Sequence, residues 1–325
     1  MERVLITGGA GFIGSTLADR LLDDGVEVAI IDDFRTGRRE FVAGALERGA
    51  QLFEGDVVHD EDVLAAAVAG ADTVFHLQAN ADVRHGLDQP RRDLEQNTIA
   101  TSNVLEAMRA AGAKRICFSS TGSVYGDHTT VPTPEDAAFP IQTSLYGASK
   151  VAGEGLIAAY ATGYGISAVI FRFVSLLGER YTHGHVIDFY RQLKRDPTRL
   201  RVLGDGRQEK SYLYVKDCVE AMLVALAHHG EEPGVDIYNL GTDATVVVDD
   251  SVALICAHLG VEPAIEKAGG TRGWAGDSPL IHLDTTRIRA LGWAPTLTIP
   301  EAVARTLTWL DAEPAIALDQ EPVPS

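Results

Sequence analysis

The sequence predicts an α/β fold: a doubly wound parallel sheet with a smaller C-terminal part interleaved with it. Three observations carry this expectation. Short β-branched runs alternate with amphipathic stretches through the first half of the chain. Those runs are apolar throughout, as strands of a parallel sheet covered on both faces must be. After about residue 175 the pattern turns irregular and richer in Pro, Gly and aromatic residues, as suits a part that closes over the strand ends.

In chain order the expected strands are Val4–Ile6, Val28–Ile31, Gln51–Phe53, Thr73–His76, Arg115–Phe118 and Ala168–Phe171. Amphipathic stretches near 15–24, 60–69, 91–112 and 145–163 read as the helices between them. Residues 1–174 are expected to form the first domain and 175–311 the second part. Residues 312–325, with their prolines and acids, read as a loose tail.

The chain of 325 residues suffices for one large domain or for two that share a cleft. Its 46% hydrophobic and 23% charged content is that of a water-soluble globular protein. No apolar run is long enough to span a bilayer, and Met1-Glu-Arg followed by Val-Leu-Ile does not read as a secretory signal. The formal net charge of −18 argues against nucleic acid and anionic membranes as partners. A small anion is still admissible, because salt screens that field beyond roughly 8–10 Å and a few local donors suffice. Cys117, Cys218 and Cys256 are far apart and odd in number, fit neither a disulfide framework nor a metal cluster, and suit a reducing cytoplasm.

Thr7-Gly-Gly-Ala-Gly-Phe-Ile-Gly14 follows the first strand and opens a helix at Ser15. Gly8, Gly11 and Gly14 allow a tight turn and a close backbone approach to a pyrophosphate, which the helix N-terminus then favours. The second strand ends at Asp32-Asp33, 18 residues after Gly14, where an acid binds a ribose 2′-hydroxyl and repels a 2′-phosphate. NAD is therefore expected over NADP, with Arg35, Arg38 and Arg39 close behind as a counterweight. Asp56, in Gly55-Asp-Val57, flanks an adenine or simply caps a strand end.

Tyr146 and Lys150, in Leu145-Tyr-Gly-Ala-Ser-Lys150, lie one helical turn apart on one face. Tyrosine ionises near pH 10, too high for a base at neutrality. A nearby ammonium, and the positive nicotinamide ring, favour the phenolate and lower that value. Gly147-Ala-Ser lets another backbone or a ligand come close. The hydroxyl cluster Ser119-Ser-Thr-Gly-Ser-Val-Tyr-Gly126 stands where a parallel strand ends, the edge at which open α/β sheets bind ligands.

These motifs, with Phe75-His-Leu-Gln-Ala-Asn-Ala-Asp-Val-Arg84, Leu203-Gly-Asp-Gly-Arg-Gln-Glu-Lys-Ser-Tyr-Leu-Tyr-Val-Lys-Asp217 and Arg272-Gly-Trp-Ala-Gly-Asp277, resemble the extended short-chain dehydrogenase/reductase family. Within it they resemble the nucleotide-sugar 4-epimerases typified by UDP-galactose 4-epimerase, from residue 3 to about residue 310. The resemblance implies a Rossmann-type fold, NAD retained through the cycle, a UDP-sugar substrate and a homodimer built on the helices near 91–112 and 145–163. It makes Tyr146 the base, Lys150 its tuner, also bonded to the nicotinamide ribose, and Thr121 the aid to the hydroxyl being oxidised. Phe12, Ile13, Leu77, Gln78, Ala79, Asn97 and Phe173 fall on cofactor-lining positions. Asp33, Arg35, Thr36, Gly37, Val57 and Ser119 complete the expected cofactor set.

Dehydratase relatives carry an acidic pair immediately after the catalytic Thr, since eliminating water needs an acid and a base at C5 and C6. The related decarboxylases show a Glu two residues after it. Thr121-Gly122-Ser123 has no carboxylate at either place, so reversible oxidation at C4 is the reaction expected. A dehydrogenase or reductase exchanging its cofactor each turnover, a 4,6-dehydratase, and a non-catalytic NAD sensor are the alternatives.

On the sugar side the resemblance implies Thr121, Gly122, Ser123, Tyr146, Ser175, His185, Val186 and Val202, with Lys210, Arg272 and Asp277 for the nucleotide. Lys210 stands where the family usually has Arg, and a lysine gives no bidentate contact. Arg272 lies five before Asp277 where the commoner spacing is three, and Trp274 occupies that place; Arg207 is a fallback. Ser175 replaces a usual Asn. His183 and His185 lack a third ligand, so no metal is expected. A uronate would need an arginine fork near C6, for which Arg191, Arg180 and, more weakly, Arg84 are candidates. The sugar stays open between UDP-glucose/galactose and UDP-glucuronate/galacturonate.

Overall fold

The computed structural model describes residues 1–80, 86, 88–127, 130–138, 141–274 and 276–319. The first part runs β1 (Arg3–Thr7), α1 (Phe12–Asp23), β2 (Glu27–Asp32), α2 (Arg39–Glu47), β3 (Gln51–Glu54), α3 (Glu61–Val68) and β4 (Thr73–His76). It continues with α4 (Pro90–Asp93), a π-helical turn (Leu94–Ile99), α5 (Ala100–Ala111), β5 (Arg115–Thr121), a 3₁₀ turn (Gly122–Tyr125), α6 (Leu145–Tyr164) and β6 (Ser167–Phe173). Beyond these come β7 (Ser175–Leu177), α7 (His185–Arg195), β8 (Arg199–Val202), β9 (Glu209–Lys210), β10 (Tyr212–Tyr214), α8 (Val215–His229), β11 (Gly234–Leu240) and β12 (Val246–Val247). The chain closes with α9 (Val248–Leu259), β13 (Ala264–Lys267), β14 (Leu280–Ile281), α10 (Thr286–Arg289), α11 (Ile299–Ala312) and α12 (Pro314–Ala317).

Seven strands form one parallel sheet in the order β11-β6-β5-β4-β1-β2-β3. The order reverses between β1 and β4, the crevice where such sheets take their ligands. The apolar runs are explained by burial on both faces. Val4, Ile6, Val28 and Ile30 point to a layer with Leu17 and Leu21 of α1. Leu5, Ala29, Ile31 and Val74 point to the other, against Leu64 of α3, Leu105 and Met108 of α5 and Ile157 of α6.

Three features depart from the sequence reading. Helix α2 was not expected: Gly44 interrupts Arg39–Glu47, yet Phe41, Val42 and Ala45 bury one face. The single helix expected over 91–112 is broken by the π-helical turn, which sinks Asn97 to 1% exposure while Leu94 stays 48% exposed. The third departure is the sheet's seventh strand, β11, taken from beyond residue 174, so residues 1–174 do not complete the first layer. Its Asp236 and Asn239 hid it from an apolar-run reading.

The remaining segments pair in small sheets, β7 with β10, β8 with β13, and β12-β9-β14. Leu283, just after β14, bridges Thr133. The tail expected to be loose is docked as far as Asp319. Ile316 and Ala317 are buried, and the Ala317 carbonyl accepts from Arg191 Nε at 2.6 Å. Among the described residues no helix is long and apolar enough to cross a membrane.

Asp217, which closes the motif at 203–217, is a clamp. Its carboxylate accepts from the Thr296 hydroxyl (2.6 Å) and the Thr296 and Leu297 N–H groups, and its carbonyl accepts from Trp293. Asp217→Ala removes the three bonds to the carboxylate and leaves the Trp293 bond to the carbonyl in place. It is expected to cost about 1–3 kcal/mol in denaturant unfolding; a loss below about 0.5 kcal/mol contradicts the clamp.

Candidate functional site

The glycine turn sits at the switch point. Gly8 has φ +68°, and a Cβ on it would lie 2.8 Å from the Gln78 backbone at the end of β4. At Gly14 a Cβ would lie 2.4 Å from the Gly8 carbonyl. Helix α1 begins after Gly11 with no side-chain cap, leaving its first N–H groups for an anion. Thr7 ties this turn to β4: its hydroxyl bonds His76 Nδ1 at 2.7 Å and accepts from Gln78 N–H at 3.3 Å. Burial, with Lys150 nearby, holds His76 neutral, its pKa down to about 3.

Asp32 is 7% exposed and accepts from the Ala10 and Phe34 N–H groups, both at 2.9 Å. Burial raises its pKa. Its carboxylate thus braces the glycine turn and borders Gly37, where a Cβ would lie 2.6 Å from it. The three arginines after β2 are each matched to an acid: Arg35 to Asp33 and Asp56, Arg38 to Asp319, Arg39 to Glu54. Thr36 is exposed. Asp56 accepts from Val58 N–H and its own N–H bonds Asp60, so it caps the turn after β3, with Val57 buried. Close-approach glycines, an uncapped helix start and a brace of acid at the second strand fit NAD.

The stretches 119–126 and 144–150 pack against one another. Ser144 caps α6 by accepting from Gly147 N–H, and a Cβ on Gly147 would lie 3.0 Å from the Ser123 carbonyl. The helix therefore seats against the 3₁₀ turn, and the Tyr146 hydroxyl meets that of Thr121. Lys150, 1% exposed, donates to the Ser119 carbonyl at 2.8 Å and lies 4.7 Å from the Phe118 ring centroid. Asn97 donates to Ser149 Oγ at 2.9 Å and accepts from Asn80 N–H, joining the π-helical turn to α6.

The expectation that an ammonium makes Tyr146 acidic is reversed in the protein by itself. Burial pushes Tyr146 up to about 12, with the Thr121 hydrogen bond opposing and Asp93 reinforcing. Burial also brings Lys150 down to about 7, against Glu154 and Asp93. Low dielectric disfavours both charged forms, which outweighs one-turn proximity.

On the sugar side, Gly122 abuts Ile281, Leu283 and the Phe173 carbonyl. Lys210 Nζ donates to Asp277 Oδ1 at 2.6 Å and lies 5.0 Å from the Trp274 ring centroid; Asp277 Oδ2 accepts from Gly273 N–H. Arg272 pairs with Asp127 at 2.6 Å. A Cβ on Gly276 would lie 3.0 Å from the Thr143 carbonyl, so this charge cluster borders the start of α6. Ser175 is exposed. His185 and Val186 open α7, but both ring nitrogens of His185 are engaged, by Ser251 (2.7 Å) and Tyr212 (3.2 Å).

Three residues expected at the sugar are engaged elsewhere in the fold. Arg191 is 3% exposed and its Nε is spent on Ala317, so the guanidinium faces the C-terminal segment. Arg180 pairs with Asp19 of α1 at 2.8 Å. Val202 has no exposed surface, and its carbonyl accepts from Ala268 N–H. Arg84 lies outside the described residues.

Residues 4–241 match the NAD dependent epimerase/dehydratase family. The chain belongs to this family. It is 32% identical over 314 residues to the UDP-glucose 4-epimerase of Mycolicibacterium smegmatis, covering 94% of this chain and 97% of the relative. A crystal structure of a UDP-galactose 4-epimerase is 38% identical, with a TM-score of 0.84 over 96% of this chain and 99% of that one. A UDP-glucuronic acid 4-epimerase from Bacillus cereus, solved with UDP-glucuronic acid and NAD, is 25% identical, with a TM-score of 0.85 over 95% and 99%.

In this NAD-dependent family member, sequence reasoning missed His76, Ser149 and the Glu154–Arg172 ion pair of α6 and β6, 2.7 Å apart. A histidine at the end of an apolar strand and a Glu one turn after Lys150 were the available signals. Lys150 also sets a pH dependence. Between about 7 and its ordinary 10.5 the unfolded chain holds a proton the folded protein has shed, so stability rises with pH across that window. The unfolding midpoint of the cofactor-free protein should climb there, and Lys150→Met should flatten the climb; an equal slope in both proteins contradicts the burial of Lys150.

Proposed function

We propose that this protein is a UDP-sugar 4-epimerase acting on UDP-glucose and UDP-galactose, inverting C4 through a transient 4-keto sugar. The observation that carries this reading is the Thr121–Tyr146 hydroxyl pair above Lys150, beside a Gly122-Ser123 stretch that offers no carboxylate for elimination. Bound NAD supplies the acceptor of the C4 hydride and its donor on the return. Tyr146 takes the proton from the C4 hydroxyl and gives it back after the sugar presents its other face. Thr121 holds that hydroxyl against the Tyr146 oxygen. The cation charge beside Tyr146, from the ring of the cofactor and from Lys150 when protonated, opposes the burial that otherwise keeps the phenol neutral.

The neutral hexose is favoured because Arg180 and Arg191 are committed to Asp19 and to the Ala317 carbonyl. Lys210 and Arg272 suit a diphosphate, and Asp277 the uridine ribose. The Arg272–Asp127 pair is the more exposed of the two ion pairs, and we infer that it exchanges its carboxylate for phosphate. A homodimer through α5 and α6 is supported by exposed Tyr164, and three free cysteines suit a reducing cytoplasm.

The protein is incubated without added NAD with UDP-glucose or UDP-glucuronate, and the C4 epimers are resolved by proton NMR. Epimer from UDP-glucose is expected. Epimer only from the uronate would move the reading to another cation near C6. Epimer from neither, with NAD supplied, would sink it. Tyr146→Phe is expected to cut turnover by at least about a hundredfold while NAD stays bound; unchanged turnover removes Tyr146 from the mechanism.

A further inference from the structure

Glu154 follows Lys150 by one turn on α6, so the two project from one face. They are 5% and 1% exposed. Arg172 of β6, 2% exposed, grips both Glu154 oxygens, Nε at 3.0 Å and a terminal nitrogen at 2.7 Å, and the Ser120 hydroxyl donates to the same carboxylate. The other terminal nitrogen donates to the Tyr125 hydroxyl at 2.7 Å and the Glu135 carbonyl at 3.0 Å. Tyr125 in turn donates to Asn239 Oδ1 at 2.9 Å. The Asn239 amide reaches the carbonyls of Thr133 (2.9 Å) and Asp284 (3.0 Å). One hydrogen-bonded network thus joins the helix of Lys150, both flanks of the turn carrying Thr121, and the segments at 133–135 and 284.

We propose that Glu154 and Arg172 are a positioning pair, with Glu154 keeping Lys150 charged and Arg172 locking that carboxylate to the Thr121 turn. The proposal deepens the epimerase reading and rests on its choice of Lys150 and Tyr146. As a bare scaffold the pair has little justification, since buried ion pairs are often replaced by apolar side chains at no loss of stability. Its placement one turn from Lys150 is what an apolar pair does not supply. The groups facing Lys150 are Glu154 and Tyr146 from α6, Asp93 from the end of α4, His76 from β4, and the Phe118 ring and Ser119 carbonyl from β5. His76 is neutral, so Glu154 and Asp93 are the carboxylates opposing the loss of the Lys150 proton, and Glu154 is the stronger.

The test reads Lys150 directly and needs no turnover, so it is separate from the fate of Tyr146→Phe. The chain has six lysines, and Lys150→Met assigns the Lys150 signal in protein labelled with ¹⁵N-lysine. In the double variant Glu154→Leu with Arg172→Met, the Lys150 titration midpoint should fall by about one pH unit or more while the other lysines hold. An unmoved midpoint in the folded double variant overturns the proposal. If that variant does not fold, Glu154→Asp, which keeps the charge but withdraws it by one methylene, decides. A smaller fall in the same direction supports the pair's role, and an unmoved midpoint ends it.

Discussion

A parallel sheet has no solvent face. Covering both faces of the sheet with helices leaves its strand ends and the outer sides of β3 and β11 as its open backbone, and all seven strands point those ends the same way. Everything chemical in this protein follows from that constraint. The glycine turn after β1, Asp32 at the end of β2, His76 at the end of β4 and Thr121 at the end of β5 are brought to one edge by strand direction rather than by closeness in sequence. The switch between β1 and β4 opens the crevice, and the later segments roof it.

Burial then sets the charge states. Tyr146 and Lys150 are both held toward neutrality, one pushed up to about 12 and the other down to about 7. In the proposed mechanism such a base waits for positive charge beside it, which would tie proton transfer to the presence of the cofactor ring. Carboxylates at Glu154 and Asp93 temper the shift of Lys150, and Arg172 holds the Glu154 carboxylate in place. The site is thus tuned by a network reaching across β5, α6, β6 and β11 rather than by the tyrosine and lysine alone.

The same economy underlies the proposed selectivity. Arg35, Arg38 and Arg39, which follow β2, are each matched by an acid, and Asp32 spends its oxygens on the turn that shapes the cofactor crevice. The arginines that looked free to read a uronate are claimed by Asp19 and by the C-terminal segment. Lys210 and Asp277 neutralise one another beside Trp274. The family resemblance to enzymes of both neutral and acidic sugars leaves selectivity to such local pairings.

The sequence by itself determined six of the sheet's seven strands and the glycine turn, and singled out Thr121, Tyr146 and Lys150 as candidates, because those readings depend on local rules. Apolar runs make buried strands, glycines permit close approach, and one helical turn separates i from i+4. It placed α2 and β11 poorly, since a glycine or a polar side chain disguises an element whose burial comes from distant partners. Tertiary structure alone decided the rest. Which arginine is free depends on acids up to 281 residues away, as Arg38 and Asp319 show. The direction in which Tyr146 shifts depends on the dielectric around it, and that is a property of the packed fold and not of its neighbours in the chain.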